Sequence, residues 1–281
     1  MMKRVFVHVM FLLCTIASHA SIAASVKSPS LAMGVLPFLN EKLLIENFTP
    51  LQKYLEKELG RPVLIKTAPD FRTFIVNTRK GDFDIIVTAP HLALLAEKES
   101  RFQRLVTSKS DLHALILVAK DSPIMKIEDL RGKTLHLPSN LSIVSLLTEQ
   151  HLIQAKLNVQ KEVKLIYHDS HNDALLAASR NPNEAAAAGP KILEIMPPEI
   201  RDNLRTLDVT PMTPNLVIMA HPRIKEKDTQ TLLQALLNFH QSELSRKFFV
   251  EEDHLPFRPI TDTQMESLEP YQKLLKQRLK K

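Results

Sequence analysis

Residues 138–142 read Pro-Ser-Asn-Leu-Ser. They lie between an apolar strand at 133–137 and an apolar-periodic stretch that predicts a helix over 142–156. A helix that opens on hydroxyl and amide side chains leaves backbone N–H groups pointing outward. With the positive end of the helix dipole behind them, these groups suit an anion. Ser139, Asn140 and Ser142 are therefore candidate ligand donors, and they are equally good helix caps. A second polar cluster, His168-Asp169-Ser170-His171, follows a strand at 163–167. There Asp169 or Ser170 would cap the next helix, and His171 could donate to an anion. Thr88 and His91 lie at the end of a third strand, Phe38 and Asn40 after the first, and Thr213 in the run Pro211-Met212-Thr213-Pro214. Each has a plainer role as well: core aromatic for Phe38 and turn residue for Thr213.

Metal and covalent chemistry find little support. Zinc takes three or four converging ligands, and His168 with His171 falls short unless His91 joins them. G-x-S-x-G, S-x-x-K and H-E-x-x-H are absent, and the lone cysteine, Cys14, lies in an N-terminal leader. The expectation is a non-enzyme with no cofactor and no metal.

The elements that would position these residues alternate. Strands are predicted at 31–36, 62–67 and 83–88. A helix starts at Thr49 with Pro50 in its first turn and ends at Gly60; a second is capped by Asp70 and stopped by Gly81; a third opens at Pro90. The order β-α-β-α-β-α implies a parallel sheet covered by helices. After a strand near 111–120 the pattern begins again, through strands at 133–137, 163–167 and 185–188. Further strands at 204–209 and 215–220 and helices at 229–239 and 263–279 complete it. The expected architecture is α/β, two lobes joined by two crossings, with a ligand cleft at the carboxyl ends of both sheets. Lobe 1 is expected at 25–117 and 217–281 and lobe 2 at 118–216, with the crossing near Val118. The basic tail at 273–281 reads as a solvated amphipathic helix.

Residues 1–24 read as a cleavable signal peptide: Lys3 and Arg4, an apolar run too short for a stable span, then small residues. Beyond it the chain has no cysteine, so disulfides are excluded and an exported fold must rely on its core. It keeps 35 basic against 31 acidic residues, a mild excess with no basic run or aromatic-basic interleaving to suggest nucleic acid.

Several stretches together resemble the periplasmic solute-binding proteins of phosphate, phosphite and phosphonate ABC transporters. These are Gly34-Val35-Leu36-Pro37, T-P-L-Q-K-Y-L-E-K-E-L-G at 49–60, G-D-F-D-I-I-V-T-A-P at 81–90, D-L-R-G-K-T at 129–134 and S-H-N-D-A-L at 170–175. The similarity implies a type-II periplasmic binding fold, a small anionic solute and an inner-membrane permease as partner; a monomeric chain is expected. In that family the anion sits at helix N-termini in a turn resembling P-S-S-T-S-G. Here Pro138, Ser139 and Ser142 match it, while Asn140, Leu141 and Ile143 replace Ser, Thr and Gly. A helix N-terminus contributes roughly 0.3–1 kcal/mol to an anion, whereas micromolar binding needs about 8 kcal/mol. Charge-assisted hydrogen bonds of roughly 1.5–3 kcal/mol each must supply most of it. The alternative expectation is a periplasmic sensor that signals through a membrane kinase or cyclase.

Overall fold

The structure is a computed structural model that describes residues 29–248 and 256–280. The expected signal peptide lies outside the described residues.

The first lobe opens with β1 (Leu31–Val35), whose Gly34 lies where an added Cβ would sit 2.5 Å from the Phe83 ring. There follow α1 (Glu41–Leu59), β2 (Val63–Lys66), α2 (Phe71–Lys80), β3 (Ile85–Thr88), α3 (Pro90–Ser100) and β4 (Gln103–Ser108). The second lobe holds β5 (Leu115–Ala119), β6 (Thr134–Leu137), α4 (Ile143–Gln154), β7 (Lys164–Tyr167), α5 (His171–Ser179), β8 (Glu184–Ala188), α6 (Pro190–Glu194), α7 (Pro198–Arg201) and β9 (Leu204–Val209). The chain then returns through β10 (Val217–Ala220), α8 (Glu226–Asn238), α9 (Ser245–Phe248), β11 (Phe257–Arg258), α10 (Asp262–Glu266) and α11 (Glu269–Leu279).

Two sheets result, ordered β11-β4-β10-β3-β1-β2 and β7-β6-β8-β5-β9. Both are mixed rather than purely parallel. β1 runs parallel to β2 and β3, and β6 runs parallel to β7 and β8, as β-α-β units require. β10 enters antiparallel between β3 and β4, and β5 lies antiparallel between β8 and β9, because these strands follow the lobe crossings instead of a helix. Val118 pairs with Ala185 and Arg205 inside the second sheet, so the outward crossing lies earlier than Val118, between Ser108 and Leu115. At the crossings Leu112 and Thr213 form an isolated antiparallel bridge, with both N–H groups bonded to the opposite carbonyl.

The first helix begins earlier than its proline suggests. Asn40 caps it, its Oδ1 accepting from Leu43 N–H at 3.0 Å, and Pro50 lies inside. A proline there removes one intrahelical bond. The stripe of Leu44, Phe48, Leu51 and Leu55, all buried in the core of the first sheet, keeps the helix continuous through it. Elsewhere the expected punctuation is seen: Gly60 and Gly81 take the left-handed conformation at helix ends, and Asp70 accepts from Thr73 N–H.

One core cluster runs through both lobes. It includes Phe74, Leu92 and Leu95 of the first, Leu135, Leu137 and Leu146 of the second, and Leu275 of α11. Leu141 and Ile143, which replace the family's Thr and Gly, are 3 % and 5 % exposed and belong to it. Their side chains pack into this core. α11 lies against both α3 and α4, so the C-terminal helix spans the seam between the lobes.

Candidate functional site

β3, β6 and β7 lead into the N-termini of α3, α4 and α5, and the contact of His91 with Leu141 brings the first two of these together at the seam. Ser142 is the N-cap of α4 and is buried; its Oγ accepts from Val144 N–H at 3.2 Å, leaving its hydroxyl proton available. Ser139 Oγ accepts from Leu141 N–H at 3.3 Å. Asn140 offers its carbonyl not to the seam but to Arg278 of α11. Ser170 caps α5, accepting from Asp173 N–H and donating to Asp173 Oδ2 at 2.7 Å, so its hydroxyl proton is used within the cap.

Four of the expected residues are buried with a polar atom that has no partner among the described residues: Thr88 Oγ1, His91 Nδ1, His171 Nδ1 and Thr213 Oγ1. Buried polar groups are nearly always satisfied, so each of these atoms calls for a partner, which a water or a ligand could supply. His91, in the first turn of α3, crosses the seam; its Nε2 donates to Leu141 O of the second lobe at 2.9 Å. Burial pushes its pKa down to about 4, with the Leu141 bond opposing and the nearby Arg278 adding to the fall. His171, the first residue of α5, is 8 % exposed, and burial alone pushes it down to about 4. Both rings are therefore neutral at ordinary pH. Thr213 lies on the crossing bridge opposite Leu112, whose Cδ1 lies 3.5 Å from the Cβ position of Gly189 at the carboxyl edge of β8.

Thr88 belongs less clearly with this group. It lines a cavity of about 10 Å³ beneath α2 and α3, among Phe74, Ile86, Leu92 and Leu95. A second cavity, of about 90 Å³, is remote from the seam, between Leu59, Arg61, Ile224 and Asp228. Two other expected contacts have structural employment. Asn40 is exposed and committed to the α1 cap, and Phe38 packs edge-on against Phe48 at 6.2 Å between the two large core clusters.

Three features escaped the sequence reading. His113 Nδ1, on the outward crossing, is also buried without a partner; nothing in Asp111-Leu112-His113 distinguishes it from an ordinary strand residue. His168 does not join His171. Its Nε2 lies 2.8 Å from His136 Nδ1, and His136 Nε2 lies 2.7 Å from Glu184 Oε2, a partly buried chain across β7, β6 and β8. Among the described residues no three His, Cys, Asp or Glu side chains are placed to hold a metal. Arg278, expected on a solvated tail, is largely buried, bonded to Asn140 O and at 2.5 Å to Glu149 Oε2. Its guanidinium lies 6.0 Å from the centre of the Tyr167 ring, whose hydroxyl donates to Glu149 Oε1 at 2.7 Å.

The family described as "ABC transporter, phosphonate, periplasmic substrate-binding protein" matches residues 33–265. The chain belongs to that family. It is a periplasmic-type substrate-binding protein of an ABC phosphonate transporter, and the family is one of binding components that work with a membrane permease. The phosphonates-binding periplasmic protein of Escherichia coli K12 is 23 % identical over 271 residues, covering 91 % of this chain and 79 % of that one. PhnD1 from Prochlorococcus marinus, solved with methylphosphonate, superposes with a TM-score of 0.77 at 17 % identity, over 88 % of this chain and 98 % of that one. A binding protein of an ABC phosphonate transporter from Pseudomonas aeruginosa gives 0.77 at 18 % identity, over 90 % and 88 %. These likenesses show the type-II periplasmic binding fold that the two-lobed reading implies.

Proposed function

We propose that this chain captures a small phosphonate-like oxyanion at the seam of its lobes, without chemical turnover, and presents it in the periplasm to an inner-membrane ABC permease. The observation that carries the reading is the set of buried, unpartnered atoms at that seam, above all His91 Nδ1, His171 Nδ1 and Thr213 Oγ1. They stand with the caps of α4 and α5, whose outward N–H groups and dipoles favour negative charge. Ser139, Ser142, His171 and Thr213 would donate to the anion. Family membership supports the same ligand class, and the methylphosphonate bound by PhnD1 of Prochlorococcus marinus shows that a relative with this fold takes so small a molecule.

A thermal-shift panel of methylphosphonate, phosphite, phosphate, sulfonates and neutral metabolites tests the reading. Ligand that binds only the folded chain raises the melting point, by about 2.7 kcal/mol of stability at a hundredfold excess over Kd. Methylphosphonate or phosphite is expected to raise it. A response confined to a cation or a neutral metabolite would overturn the proposal.

A further inference from the structure

The proposed oxyanion site, on which this inference rests, contains a hydrogen-bond constraint in His91. A carbonyl oxygen can only accept, so the contact between His91 Nε2 and Leu141 O places the ring proton on Nε2. Nδ1 of the same ring is then a lone pair, in a side chain with no solvent exposure and with no partner among the described residues. It needs a donor. A fully ionised oxyanion has only lone pairs to offer and would set acceptor against acceptor, leaving both unsatisfied in a buried place. An oxyanion that keeps one proton satisfies both sides: its O–H donates to His91 Nδ1 while its other oxygens accept from the hydroxyls and helix N–H groups.

We infer that the cleft selects oxyanions in their protonated, singly charged form, with the ligand's own O–H donated to His91 Nδ1. The chemical class is a hydrogen phosphonate or hydrogen phosphite monoanion, as against a sulfonate, which has no such proton, or the phosphonate dianion.

The charge around the site agrees with this. The donors proposed for the seam are neutral imidazole, hydroxyl and backbone groups, and desolvating an ion without an opposing charge becomes steeply harder as its charge grows. Most of the charged groups on elements packed against His91 have partners, and Lys80 of α2 and Lys273 of α11 are exposed to solvent. Arg278 of α11 is bonded to Asn140 O and to Glu149 of α4, and Glu149 also receives the Tyr167 hydroxyl from β7. Arg72 and Arg79 of α2 are bonded to α11 carbonyls and to Glu99. Arg104 of β4 pairs with Glu97 and with Asp262 of α10, Lys98 with Glu269, and Lys276 with Glu99. His91 and His171, pushed down to about 4 by burial, keep the same protonation between mildly acidic and mildly basic pH. In that range the ligand itself supplies the titration.

The test compares methylphosphonate with methanesulfonate, a fully ionised monoanion of the same shape, by calorimetry on the intact chain at about pH 5.5 and about pH 8.5, on either side of a phosphoryl group's second ionisation. Methylphosphonate is expected to bind at the lower pH and to lose about tenfold in affinity per pH unit above its second ionisation, one proton being required. Methanesulfonate is expected to bind at least about tenfold more weakly at the lower pH and without pH dependence. His91→Leu is expected to remove the preference, bringing the two ligands together. If that variant fails to fold, the two-ligand comparison on the unaltered chain still decides. Methylphosphonate affinity that is flat or rising with pH, or methanesulfonate bound equally well, would overturn the inference and leave the oxyanion site standing. Silence with both anions at both pH values would overturn the site reading and this inference together.

Discussion

His91 and His171 are 0 % and 8 % exposed, and burial holds both well below the usual imidazole value, at about 4. In the unfolded chain each returns to about 6.5. Between those values the unfolded state binds more protons, so the stability gained by keeping the rings neutral is present in full above about pH 6.5. It is lost as pH falls towards 4. Each ring accounts for up to roughly 3 kcal/mol at a little under 1.4 kcal/mol per unit. The melting temperature, followed by circular dichroism, is expected to fall over that window, and to fall less steeply in His171→Gln. An equal slope in the variant would show that carboxylates elsewhere carry the acid sensitivity. The same residue in the ligand role predicts that His171→Gln weakens methylphosphonate binding about tenfold, one charge-assisted bond being worth roughly 1.5–3 kcal/mol.

Asn40 is a helix start at a position where a ligand contact is also expected. It follows β1 at the carboxyl edge of the sheet, where ligands belong, yet its Oδ1 is spent on Leu43 N–H. Asn40→Ala is expected to cost about 1 kcal/mol of stability, read from the denaturation midpoint, with affinity unchanged; Asn40→Asp should keep both. A loss of affinity without a loss of stability would return Asn40 to the site. The starts of α2, α3, α4 and α5 were well marked, by Asp70, Pro90, Ser142 and Ser170, because a cap needs only local hydrogen bonds and tends to show in the residue type. By contrast, α8 begins at Glu226 rather than 229, and the helix expected at 263–279 is the pair α10 and α11. The start of α1 was hidden by Pro50, which is as good a first-turn residue as an interior one is rare. Burial of Leu44 and Phe48, a matter of packing against the sheet, outweighed that preference.

At the scale of the whole molecule, polar contacts between the lobes among the described residues include His91 to Leu141 O, and Arg278 to Asn140 O and Glu149. Arg278 rides on a helix anchored to the first lobe through Lys98–Glu269, Lys276–Glu99 and Arg72, and it braces the turn that carries Ser139 and Ser142. Arg278→Met leaves Glu149, whose side chain is 9 % exposed, without its charge partner. Removing one member of a buried pair typically costs about 3–5 kcal/mol. That loss is expected in chemical denaturation, and the double variant Arg278→Met with Glu149→Leu should recover much of it. A double variant no better than the single would mean that Arg278 acts by packing alone.

From the residues alone came what is local or periodic. The alternation of strands and helices, the caps, the exclusion of disulfides and the turn before α4 are written in spacing and side-chain type. Two lobes followed from seeing the pattern repeat. What needed the tertiary structure was everything set by partners far apart in sequence. That Arg278 of a basic tail reaches Glu149, that His168 turns to His136 and not to His171, and that Leu141 and Ile143 face the core depend on which surfaces meet on folding. So too does the protonation of His91: its residue type allows either ring nitrogen to carry the proton, and only the carbonyl of Leu141, fifty residues away, decides which one does.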